Sequence, residues 1–110
     1  LRPAEEVILV CAGTADQFDL ADALTAGALL HELSLLTPVE ADDLALTMRQ
    51  LFAGMGTEGI YQLVAESVHG RYLLAQGFRE DLRFCLRPNA SELVPEMVGG
   101  RVRAGSLGGQ

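Results

Sequence analysis

Hydrophobic and polar positions follow three different rhythms along this chain. Residues 7–11, Val-Ile-Leu-Val-Cys, form an unbroken apolar run between Glu6 and Ala12-Gly13-Thr14. A run of that length and continuity predicts a strand buried on both faces, as in a parallel sheet. From Leu20 to Leu36 the spacing turns helical, with Leu20, Leu24, Gly27, Ala28, Leu30 and Leu35 on one broad face. Asp19 is the expected N-cap, and Thr37-Pro38 ends the helix. A second helix starts at Asp42 or Asp43 and carries Leu44, Leu46, Met48, Leu51 and Phe52. After a glycine-rich loop over 54–59, Thr57 is read as the cap of a third helix. Ser67 starts a fourth, stopped by Gly77, and residues 81–85 read as one more short turn. The last rhythm is an alternation. Leu93-Val94-Pro95-Glu96-Met97-Val98, then Gly99-Gly100, then Arg101-Val102-Arg103 predict a two-residue β-hairpin.

One buried strand and a terminal hairpin make a thin sheet, and a buried strand needs partners for its backbone N–H and C=O groups. The expectation is therefore an α/β chain that forms the C-terminal part of a longer layered domain. Residues 1–103 would belong to that domain and 104–110 to a loose tail. A trimmed but self-sufficient small domain is the alternative, and the leading Leu in place of Met agrees with either.

Composition narrows the function classes. The chain has 110 residues, 49% of them hydrophobic, which suits one small core and excludes disorder over most of its length. No apolar run has the length of a membrane span. Fifteen acidic residues against eight basic ones give a formal charge of −7, and all eight basic residues are Arg. They are scattered rather than gathered into the basic stripe that nucleic-acid binding requires. An anionic ligand would have to be drawn by a local Arg or a metal ion against the overall field. Two widely spaced cysteines, Cys11 and Cys85, form no disulfide framework and read as small buried residues in a reducing, cytoplasmic setting.

Several motifs carry chemistry on paper. Gly54-Met55-Gly56-Thr57-Glu58-Gly59 fits the dinucleotide pattern G-x-G-x-x-G, but a helical stretch precedes it where a strand is needed, so a helix–helix linker is the better reading. Cys11 at a strand end would suit a cysteine phosphatase with an Arg six positions on; that position holds Gln17. Ala12-Gly13-Thr14 lies where open α/β sheets bind ligands, and also where any strand meets an ordinary turn. Asp16, Asp19 and Asp22 follow it. Carboxylates there suit Mg²⁺, whereas helix capping accounts for Asp19 and leaves Asp22 open. Ser67-Val68-His69-Gly70-Arg71 has the makings of an oxyanion grip, or of a plain helix start.

Taken together, residues 7–14, Phe18-x-Leu20-x-Asp22, Ala26-Gly27, Ser67-x-His69-Gly70-Arg71, Gly77-Phe78-x-Glu80-Asp81-Leu82-x-Phe84-Cys85 and Val94-Pro95 resemble the C-terminal half of 2-phosphosulfolactate phosphatase. The resemblance implies a Mg²⁺-dependent hydrolase that releases phosphate from 2-phosphosulfolactate on the way to coenzyme M, with an N-terminal half as its partner. It implies Mg²⁺ on Asp22, an oxyanion held by the amides of Gly13 and Thr14, Arg71 on phosphate or sulfonate, and His69 as proton donor to the leaving group. Asp81 would orient Arg71 or cap its helix. The family's usual Glu beside Asp22 is Ala21 here, and its usual Cys is Thr25. A small-anion binder without turnover, or a structural half-domain completing a sheet and an oligomer interface, are the competing readings. An exposed edge at 7–11 would let copies pair.

Overall fold

The computed structural model describes residues 6–105 of the 110. The fold is mixed α/β, with five helices followed by an antiparallel hairpin. Residues 106–110, expected to be loose, and the first five residues lie outside the described part.

Local signals set the helix ends. In α1 (Leu20–Leu36) the Asp19 side chain accepts from the amides of Ala21 and Asp22. In α2 (Asp43–Ala53) Asp42 accepts from Ala45. α3 (Thr57–Glu66) starts at Gly56 with no side-chain cap bond, so Thr57 is its first residue rather than its cap. The glycine-rich stretch does join two helices. Ser67 caps α4 (Val68–Ala75). The α4 C-terminus closes with Phe78 N–H on the Leu73 carbonyl and Gly77 N–H on that of Leu74, the paired bonds of a Schellman ending. α5 (Arg79–Cys85) follows directly. No side-chain bond caps it; Asp81 lies in its first turn, where the helix dipole favours a carboxylate.

The helices form one unit, Leu9–Arg87. Its core is Leu24 of α1, Tyr61 and Val64 of α3, and Leu82 of α5, with Leu20, Ala21, Leu51, Leu73 and Leu74 packed around them. Two glycines permit the closest approaches. A Cβ on Gly27 would collide with the Met48 carbonyl, and one on Gly70 with the Val64 carbonyl. Arg83 spans α3 and α5: it donates to both oxygens of Glu58 at 2.8 and 3.2 Å and lies over the Tyr61 ring.

Residues 88–105 belong to a second unit. There β1 (Pro95–Val98) pairs with β2 (Arg101–Ala104), Val98 opposite Arg101 and Pro95 opposite Ala104. Gly99 and Gly100 both take positive φ, as the two-residue turn requires.

The strand expected over 7–11 is the element that differs. These residues form no ladder among the described residues, and Ile8 and Val10 are 75% and 86% exposed. The reason is physical. A central strand needs a pairing strand at each edge and a packed layer over each face, and the sheet described here contains β1 and β2 alone. Cys11 is accordingly exposed, and so is Cys85 at the end of α5; neither is the buried residue the sequence suggested.

Thr14's hydroxyl bond holds the buried Asp19 carboxyl below its usual value of 3.8, against the opposing effect of desolvation, and the amides of Asp22 and Ala21 add to the lowering. A carboxyl depressed in the folded state stabilises the fold above its unfolded pKa, and that share is lost as the pH falls through the folded value. Asp19→Ala should cost about 1–2 kcal/mol near pH 7, and the gap to the native protein should narrow below about pH 4; urea denaturation of both proteins at pH 7 and pH 3 measures it. Gly70→Ala should cost more, at least about 2 kcal/mol, because backbone and not a flexible side chain stands in the way; the shift in urea midpoint at constant slope is the readout.

Candidate functional site

The corner ahead of α1 is built by the chain folding back on its own helix. Gly13 takes φ +77°, and a Cβ there would sit 2.7 Å from the Gln17 carbonyl, so the position requires glycine twice over. Thr14 and Gln17 then exchange both backbone hydrogen bonds, each 3.0 Å. Between them Ala15 and Asp16 both take positive φ, at 51° and 59°. This is a type I′ turn made without glycine, and non-glycine residues in that region carry about 1–2 kcal/mol of strain each.

Two carboxylates of α1 hold the turn. Asp22 Oδ2 accepts from the Gly13 amide at 2.8 Å. Asp19 Oδ2 accepts from the Thr14 hydroxyl at 2.6 Å, and its Oδ1 accepts from the Ala21 and Asp22 amides at 2.9 and 3.4 Å. Asp19 is 9% exposed and has no unsatisfied oxygen.

In this structure the donors expected to hold an oxyanion at Gly13 and Thr14 are engaged within the protein. The Gly13 amide is taken by Asp22, the Thr14 amide by Gln17, and the Thr14 hydroxyl proton by Asp19. What these groups leave unbonded is acceptor character, the remaining lone pair of Thr14 Oγ1 and the second oxygen of Asp22, while the exposed amides of Ala15 and Asp16 at the tip of the turn form no hydrogen bond among the described residues. An acceptor surface suits a cation or a water molecule and repels a bare anion.

Asp22 also stands in a shallow groove of about 270 Å³ between residues 9–12 and the α1 side chains Thr25, Ala26 and Leu29. Thr25 turns its hydroxyl back onto the Ala21 carbonyl at 2.9 Å. Ala21 itself packs against the core cluster. The described residues bring no three His, Cys, Asp or Glu together as metal ligands. Mg²⁺ needs one or two carboxylates and fills its shell with water and phosphate oxygens, so Asp22 with the Thr14 oxygen fits the protein share of such a site and no more.

The Ser67-to-Arg71 motif divides in two. Ser67 Oγ donates to the Val64 carbonyl at 2.6 Å and accepts from the Gly70 amide at 3.1 Å. Ser67 and Gly70 therefore build the α3–α4 corner, which leaves His69 and Arg71 for other work. His69 is half-buried in the first turn of α4, its ring stacked on Tyr72 with centroids 6.1 Å apart. Of the influences on the Asp19 carboxyl, that of His69 is the smallest. Arg71 is two residues on, about 200° around the helix. It is exposed, it forms no ion pair among the described residues, and no contact ties it to the corner. His31, read as a surface residue, is half-buried and has its ring 5.7 Å from that of Phe52. A second concavity, lined by residues 77–81 and about 360 Å³ in volume, contains none of the expected site residues.

The sequence signal for Asp19 was present but was read as a cap alone; its spacing of five from Thr14 is what ties it to the corner. The family model for 2-phosphosulpholactate phosphatase matches residues 1–100. A probable 2-phosphosulfolactate phosphatase of Caldanaerobacter subterraneus is 35% identical over 99 residues, 90% of this chain and 41% of that protein. One of Symbiobacterium thermophilum is 36% identical over 98 residues, 88% of this chain and 42% of its own. One of Deinococcus radiodurans is 35% identical over 108 residues, covering 94% and 43%. The chain thus spans about two-fifths of the length of the curated relatives it matches. No solved structure matches it significantly. The motifs that point to one family are held in register by a match over nine-tenths of the sequence, and the chain belongs to the 2-phosphosulfolactate phosphatase family.

Proposed function

We propose that this chain supplies the acceptor-lined part of an active site that hydrolyses 2-phosphosulfolactate, or a closely related anionic phosphate monoester, to the alcohol and phosphate. The family match supports the reaction class. The observation that carries this chain's share in it is the Gly13–Asp22 corner, where the protein takes up the Gly13 and Thr14 donors and leaves one Asp22 oxygen unbonded.

In this reading Asp22 is held by the Gly13 amide through one oxygen and offers the other to Mg²⁺, with the Thr14 hydroxyl oxygen nearby. Mg²⁺ held there would supply neutralisation of the charge on the phosphoryl oxygens. Asp22 and Thr14 fix where that charge is met. His69, held by the α3–α4 corner, carries the proton that the leaving alkoxide needs. Arg71, exposed and unpaired among the described residues, reads phosphate or sulfonate with its forked donors. The remainder of the site, including the group that orients the attacking water, belongs to polypeptide beyond this chain. The reading includes a cytoplasmic place on the route to coenzyme M, with exposed Cys11 and Cys85 suited to a reducing compartment. No helix of the described residues is long and apolar enough to cross a membrane.

A second reading, anion binding without turnover, is favoured by Ala21. The family's usual carboxylate is missing there, and Ala21 packs on the core. Pairing of copies along residues 7–11 is part of either reading, since Ile8 and Val10 are exposed.

Phosphate release from 2-phosphosulfolactate by the complete polypeptide, with and without Mg²⁺, separates the two. Asp22→Asn keeps an acceptor for the Gly13 amide while removing the charge, so the fold should persist and the Mg²⁺-dependent rate should fall about 100-fold. An unchanged rate removes Asp22 from the mechanism. Arg71→Ala should raise KM for the sulfonated substrate several-fold at near-constant kcat; equal constants in both proteins remove Arg71 from substrate recognition.

A further inference from the structure

We propose that residues 9–12 and the outward stripe of α1 are a docking surface for a β-strand from the part of the family's polypeptide that this chain does not include, and that this strand closes the groove in which Asp22 stands. Each wall of the groove supplies its own observation. α1 is apolar on more than one side: of its 17 residues the charged ones are Asp22 and Glu32, the pattern of a helix covered all round. Ala23, Leu24, Gly27 and Leu30 are buried. Leu29 and Leu36 are 56% and 82% exposed. With Asp22 they follow steps of seven, close to two full turns, and so form one stripe. The other wall is residues 9–12. They are exposed, they belong to no helix or ladder, and their backbone groups form no hydrogen bond among the described residues.

The two walls select the occupant. Leu9, Val10, Ala12, Ala26 and Leu29 line most of the groove, and its one charged residue is Asp22. Such a lining offers no cation to a metabolite that bears several negative charges, so the substrate does not lie along it. A helix laid over the groove would bury the amides and carbonyls of 9–12 without partners. A strand meets both needs. Its backbone pairs with 9–12, and its alternate side chains enter the groove toward Ala26 and Leu29. The family has polypeptide for it, because the matched relatives are more than twice as long as the stretch this chain covers. Pairing of copies along 7–11 uses the same open backbone and is the contact that this strand displaces. Since Asp22 lines the same groove, the strand also brings the rest of the site against that carboxylate. This last consequence rests on the proposed function; the docking does not.

Cys11 lies in the docking segment with its thiol exposed in this structure, so its alkylation reads the docking. The complete polypeptide is labelled with iodoacetamide and followed by peptide mass spectrometry. Cys11 should label at least about ten-fold more slowly than glutathione, and the amides of residues 10–12 should exchange at least about ten-fold more slowly than in an unstructured chain. Leu29→Lys puts a charge into the groove and should return Cys11 labelling to within about three-fold of glutathione. If the Leu29→Lys protein does not fold, the two measurements on the native protein decide. Labelling of native Cys11 at the glutathione rate overturns the proposal. Slow labelling with freely exchanging amides overturns it too, since the cover is then no strand. So does protection that grows with protein concentration, which assigns the face to a second copy, and so does a folded Leu29→Lys protein whose Cys11 stays protected. Phosphate release alongside any of these results leaves the phosphatase reading standing. Full protection without phosphate release overturns that reading and leaves the docking standing.

Discussion

Two carboxylates one helical turn apart hold the loop that leads into their own helix. Asp19 takes the hydroxyl of Thr14, and Asp22 takes the amide of Gly13. The loop between them would not keep its shape unaided, because Ala15 and Asp16 both sit in the left-handed region where L-residues are strained. The exchange of backbone bonds between Thr14 and Gln17 offsets part of that strain, and the carboxylates offset more. A strained turn held from below is a common property of functional sites. Its consequence here is polarity: protein acceptors capture the donors of Gly13, Thr14 and Gln17, and the second Asp22 oxygen stays unbonded.

The same economy of roles runs through the motifs. Gly27 and Gly70 admit a neighbouring backbone, and Ser67 ties α3 to α4. Leu20 fills the core margin. Once these are accounted for by packing, Asp22, His69 and Arg71 remain among the motif residues that packing does not explain. The corner and the first turn of α4 are related through the core they share, while Arg71 projects from another side of its helix.

Much of this was legible in the sequence because the signals are local. Asp19, Asp42 and Ser67 cap helices through amides two or three residues away. Gly77 stops α4, and Gly99-Gly100 turns the hairpin. Mixed α/β architecture followed from those elements. What the sequence could not carry was partnership at a distance. Residues 7–11 have the composition of a doubly covered strand, yet composition does not supply the neighbours, and the described residues leave Ile8 and Val10 in solvent. The amides of Gly13 and Thr14 were open to two readings, a ligand contact beyond a strand end or an ordinary turn. Neither included Asp22 reaching back across nine residues. Asp19 was seen as a cap, correctly, and its second oxygen went unread.

The central claim is that the Gly13, Thr14 and Gln17 amides are closed off by the protein, which hydrogen exchange of individual amides tests most directly. The account predicts that the Gly13, Thr14 and Gln17 amides exchange at least about ten-fold more slowly than in an unstructured chain, although Thr14 and Gln17 lie at the surface. Exchange of Gly13 and Thr14 at the unstructured rate, in a protein whose α1 amides are protected, would contradict it.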